Sequence, residues 1–90
     1  MAQLNFTQNG LAWISDEISV SSDFNLHIER EKAAQLNIMQ KTSGEKWDDI
    51  IEAERYVNKT VIDVDIQVLI PKKIKVISYS KVTSAEYTTA

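Results

Sequence analysis

Asp63 and Asp65 stand two residues apart in a run that alternates apolar and polar side chains, Ile62 to Ile70. A β-strand there presents both carboxylates on one face. Paired carboxylates at that spacing either hold a cation such as Ca²⁺ or work as acid and base. Ca²⁺ takes about six to eight oxygens, and no Asp/Asn-Gly loop of the EF-hand kind supplies them here. The pair therefore reads as the wet side of a half-buried strand. Asp48, Asp49, Glu52 and Glu54 form a second acidic group, read as the exposed face of a short element.

His27 is the only histidine, so a multi-histidine metal site within one chain is ruled out. Ser19, Ser21 and Ser22 are near it in sequence, but none occupies a nucleophile elbow of the Gly-x-Ser-x-Gly kind. Gly10 and Gly44 are isolated, so there is no glycine-rich phosphate loop. The absence of cysteine rules out disulfides and thiolate metal sites. These observations point away from an enzyme, and no cofactor or metal is expected.

The aromatic residues are better candidates for binding. Trp13, Trp47 and Tyr79 combine broad apolar rings with a polar handle, the chemistry on which sugar rings stack. The alternative for each is packing in the core or at its rim. Charge is distributed unevenly: residues 1–70 carry six Lys/Arg and twelve Asp/Glu, whereas 71–90 carry four Lys and one Glu. Lys72, Lys73, Lys75 and Lys81 read as an exposed strand edge that guards itself or meets an acidic partner. With a net charge of −3, general nucleic-acid binding is not expected.

The elements that must position these groups are mostly strands. Ninety residues make one domain, 1–90, with no apolar run near the length of a membrane span. No leader pattern is visible at the start, which fits a cytoplasmic or virion-associated protein and leaves export open. Leu4 and Phe6 alternate before the turn dipeptide Asn9-Gly10, and Leu11–Ile14 follows. Ile18 and Val20 alternate, then Phe24, Leu26 and Ile28 share one face against Asn25, His27 and Glu29. Glu29–Gln35 has the composition of a short helical turn. Leu36 to Thr42 reads as a strand closed by Ser43-Gly44.

Residues 46–57 fit two patterns, a strand or a short helix through Trp47, Ile50, Ile51, Glu54 and Val57. The opening run 62–70 then reads as one long strand, and 74–82 as another after Pro71. Residues 84–90 are small and polar and read as a frayed tail or an edge segment. The sum is an all-β, six- to seven-stranded antiparallel β-sandwich, with an α+β fold carrying one helix near 46–57 as the alternative.

The stretch Met39-Gln40-Lys41-Thr42-Ser43-Gly44-Glu45-Lys46-Trp47 resembles a hairpin of galactose-binding-like jelly-roll modules, in which a Ser/Asp-Gly turn leads to an aromatic. Phe24 to Ile28 and Lys73 to Ile77 are similar to strands of those modules. The resemblance covers about a third of the chain, and those modules are longer, so it implies a jelly-roll sandwich without transferring a site. Small β-sandwich proteins of bacteriophage particles share its features as a class. The expectation is a non-enzymatic structural or assembly protein, acting through a surface or strand edge on a protein partner or on itself. The alternative is a small carbohydrate-binding module using Trp13, Trp47 and Tyr79.

Overall fold

The computed structural model describes residues 2–42, 44, 46–51 and 55–89. Among them are ten strands and no helix: β1 (Ala2–Gln3), β2 (Phe6–Asn9), β3 (Ala12–Ser15), β4 (Ile18–Val20), β5 (Phe24–Arg30), β6 (Leu36–Lys41), β7 (Asp48–Ile51), β8 (Val61–Ile66), β9 (Lys72–Ser78) and β10 (Val82–Thr89). One antiparallel sheet has the order β1-β10-β5-β8. The other runs β2-β3-β9-β6-β7, with β4 also paired to β9.

Alternation builds the interface between the two layers. Phe24, Leu26 and Ile28 of β5 lie across from Ile66, Val64 and Ile62 of β8, and on the other side Leu26 and Ile28 face Tyr87 and Ala85 of β10. In the second sheet Leu36 and Ile38 of β6 and Ile74 and Val76 of β9 are fully buried, flanked by Ile18 and Val20 of β4. These apolar sets form one continuous core, and removing them from water is the main drive for the sandwich. The chain is thus all-β in two layers, with more and shorter strands than the six or seven expected.

Several expectations need correction. The run 62–70 is not one strand: β8 ends at Ile66, Val68 is still buried, and Leu69 and Ile70 are exposed at 81% and 55%. The Asp23 carboxylate accepts the Val68 N–H at 2.8 Å, which holds the chain as it leaves the sheet. The supposed tail 84–90 is largely strand β10, which lies inside its sheet between β1 and β5. Ala85 is small enough to be buried against Ile28, and a bulge between Val82 and Ser84 brings it into phase.

The 46–57 segment forms no helix among its described residues. Its strand is β7, and Arg55 to Asn58 turn, with Lys59 N–H bonded to the Tyr56 carbonyl at 3.1 Å. Glu52 and Glu54 of the acidic group lie outside the described residues. Glu29 and Arg30 belong to β5, and no helical turn follows. Finally, β9 is not an edge: it is hydrogen-bonded to β6 on one side and to β3 and β4 on the other. Lys73 and Lys75 therefore project from the outer face of a central strand, and Lys81 lies in the β9–β10 connection.

The turns follow local chemistry. Asn9 pairs with Ala12, so the β2–β3 loop is Gly10-Leu11, one residue later than the Asn9-Gly10 dipeptide implies. Gly10 has φ +66°, and positive φ at the first loop position alone is the type II′ pattern. Leu11, at the tip, is 86% exposed.

Candidate functional site

Three surface features collect the chemistry-bearing residues. The first is the outer face of the β1-β10-β5-β8 sheet. Antiparallel register sets His27 opposite Asp63 of β8 on one side and Glu86 of β10 on the other; Asn25 is opposite Asp65. Both imidazole nitrogens meet carboxylates, Nδ1 at 3.0 Å from Asp63 Oδ2 and Nε2 at 3.0 Å from Glu29 Oε2. Asn25 Nδ2 donates to Asp63 Oδ1 at 2.6 Å and to Asp65 Oδ1 at 3.0 Å.

These contacts shift two ionisations. Hydrogen bonds to Glu29 and then Asp63 raise the His27 pKa above its ordinary value. Hydrogen bonds from Asn25 and then His27 hold the Asp63 carboxyl below its ordinary value. When protonated, the ring can donate to both carboxylates at once. The His27 ring thus meets a carboxylate at each nitrogen. Asp63 and Asp65 are exposed on the outward side, as strand alternation demands. No group of three or more His, Asp or Glu among the described residues has metal-holding geometry.

The second feature is a cleft of about 530 Å³. Trp13 faces Ser78 across the β3–β9 pairing, which brings Tyr79, the next residue, to the same end of the sheet. Trp13, Tyr79 and the hairpin tip at Leu11 line the cleft, with Gln8, Glu31 and Lys81 supplying polar atoms. Tyr79 is 46% exposed and Trp13 half-buried. Two of the three aromatic candidates thus come together, along with Lys81 of the basic set.

Trp47 is elsewhere. Its ring lies under two ammonium groups, Lys75 Nζ 4.4 Å and Lys41 Nζ 5.0 Å from the centroid. That cation–π pair occupies the ring and orders both lysines. Lys41 lies directly opposite Lys73 in the β6–β9 register, and Lys72 donates to Gln40 Oε1 at 2.7 Å. Beside them is the third feature, an open recess of about 560 Å³ where β4, β6 and β9 end. It is lined by Lys41, Lys72 and Lys73 with the hydroxyls of Ser19, Ser21 and Thr42.

Two organising residues escape a reading by residue chemistry alone. Asn25 ties Asp63 to Asp65. Arg30 is 5% exposed and sends its guanidinium to backbone carbonyls: Nη1 to Gln35 at 3.2 Å, Nη2 to Tyr56 at 2.9 Å and also to Lys59. Burial lowers its pKa from the ordinary value. Its position was legible in retrospect, since Arg30 continues the inward phase of Phe24, Leu26 and Ile28.

Compared with protein-family models, curated proteins and solved structures, the chain matches none.

Proposed function

We propose that this chain is a non-enzymatic structural protein that assembles with copies of itself through its surface, as a component of a particle such as a bacteriophage virion. The observation that supports this is the segregation of charge between the two outer faces. One sheet turns Glu29, Asp63, Asp65 and Glu86 outward around His27. The other turns Lys41, Lys73 and Lys75 outward, with the exposed Asp48 and Asp49 of β7, the latter held by Asn37 at 3.2 Å, as acidic exceptions among the described residues. Opposite potentials on opposite faces steer association and set orientation. Sedimentation equilibrium across a wide concentration range at low salt tests the reading. Mass that rises with concentration is expected, and a single 10.2 kDa species throughout would sink it.

A second reading rests on a different observation, the meeting of Trp13 and Tyr79 in one cleft with polar groups at its rim. That combination suits a carbohydrate, whose ring stacks on an aromatic while its hydroxyls bond to the rim. The resemblance of the Met39 to Trp47 stretch to galactose-binding-like modules points the same way, although Trp47 itself is outside the cleft.

A further inference from the structure

Resting on the assembly reading, we infer that copies join head to tail, the Asp63/Asp65 row of one molecule seated in the Lys41/Lys72/Lys73 recess of the next. The recess is open and, among the described residues, lined by three cations and three hydroxyls, so its complement is a row of acceptors bearing negative charge. This chain carries such a row on β8, the last strand of its sheet and therefore accessible from the side. Asp63 and Asp65 are two residues apart on a strand, a spacing of about 6.6 Å. Lys41 and Lys73 face each other across neighbouring strands about 5 Å apart. Two carboxylates thus meet two ammonium groups on a matched scale, with Lys72 and the hydroxyls completing the contacts.

Both sides are held in shape before they meet. The single Asn25 amide fixes both carboxylates. Trp47 fixes Lys41, and Gln40 fixes Lys72. Pre-ordered side chains lose less entropy on association. Polarity follows from sign: acid against acid or base against base is repulsive, so a twofold contact between like faces is disfavoured. Acid against base leaves one unused surface of each kind on every pair. Such a heterologous contact closes into a ring or continues as a filament.

The test uses the full chain and two double variants, Asp63→Asn with Asp65→Asn and Lys41→Ala with Lys73→Ala. Circular dichroism and thermal melts confirm that each is folded. By sedimentation, wild type associates at low salt and dissociates at about 1 M salt, where the screening length is about 3 Å. Each pure variant associates about tenfold or more weakly, since each has lost one half of the contact. Mixed in equal amounts, the variants form a species of twice the 10.2 kDa chain mass and nothing larger, because each retains the half the other lacks. If wild type assembles and the variants assemble equally well, or their mixture behaves as its parts, the head-to-tail contact is wrong while the assembly reading stands. If wild type stays at 10.2 kDa throughout, both fall.

Discussion

His27 lies directly across the β5–β8 pairing from Asp63, its Nδ1 3.0 Å from Oδ2, and its second nitrogen is 3.0 Å from Glu29. One ring thus joins carboxylates from two positions on a face that also carries Asp65 and Glu86. Without it, four acidic side chains would face water with no cation on the described part of that face. When protonated, the imidazole places a positive charge between carboxylates on that face.

The pH dependence of stability follows from this arrangement. The folded state raises the His27 pKa, so its contribution is complete below the unfolded value of about 6.5 and is lost as pH rises through the higher folded value. Asp63 has the opposite sign: its contribution is present above its unfolded value of about 4 and is lost as pH falls through the lowered folded value. The gain of wild type over His27→Gln is therefore greatest between roughly pH 4 and 6.5. Thermal midpoints of both proteins measured from acid to mild alkali check this. A difference that does not vary with pH would show that the ring acts by packing alone. The charged groups facing His27 are Glu29 on its own strand, Asp63 and Asp65 on β8, and Glu86 on β10.

Arg30 predicts a larger stability effect. Its guanidinium binds carbonyls of the 31–35 connection and of the 55–60 turn, and Ser78 Oγ lies 3.4 Å away. Arg30→Met keeps the apolar stem but removes the guanidinium from three part-buried carbonyls, of which Gln35 keeps the Tyr79 amide and Tyr56 the Lys59 amide as donors. The Lys59 carbonyl loses its guanidinium donor and the other two lose a second bond, so a loss of about 2 kcal/mol is expected in urea unfolding. Hydrogen exchange should also rise first at Lys59, whose amide bonds within the turn that Arg30 holds. A loss below about 1 kcal/mol would mean that water replaces the guanidinium at the carbonyls.

The β2–β3 hairpin depends on one backbone conformation. Gly10 has φ +66° and no atom within 4 Å of where a Cβ would stand, so strain acts there without steric clash. Gly10→Ala should cost about 1–2 kcal/mol, the penalty of left-handed φ for an L side chain. Gly10→Asn should cost less, because asparagine visits that region more readily. Urea midpoints with an unchanged m-value distinguish this strain from a change in the unfolded state.

The sheets were legible in the sequence wherever apolar residues alternate with polar ones. Ile18/Val20, Phe24 to Ile28 and Ile74/Val76 became β4, β5 and β9 with their expected inward faces. Residues 84–89 of β10 are hard to read as strand because a bulge after Val82 breaks the period and the apolar side chains packed on the core beyond it are only Ala85 and Tyr87. Alternation also could not say that 62–70 leaves the sheet at Ile66, since Val68 keeps the inward phase after the ladder has ended. The site was less legible because it depends on pairings between distant segments. Whether Lys73 guards an edge or stands on a central strand depends on what flanks β9, and Trp13 meets Tyr79 only through the β3–β9 register.

That register yields the discriminating experiment for the carbohydrate reading. Trp13 lines the cleft with Tyr79, whereas Trp47 is covered by Lys41 and Lys75 and lies outside it. If a sugar stacks in the cleft, titration should change the indole emission in wild type and in Trp47→Phe, but not in Trp13→Phe. Tyr79→Ala should weaken the titration by about one to two orders of magnitude, in line with about 1–3 kcal/mol for a stacked ring. Iodide quenching supplies an independent control, since the two ammonium groups at Trp47 concentrate the anion there. The Trp13→Phe protein, whose only indole is Trp47, should be quenched more by iodide than by caesium, and salt should erase the difference. A sugar response that survives in Trp13→Phe and vanishes in Trp47→Phe would move the binding surface to the basic face and remove the cleft from consideration.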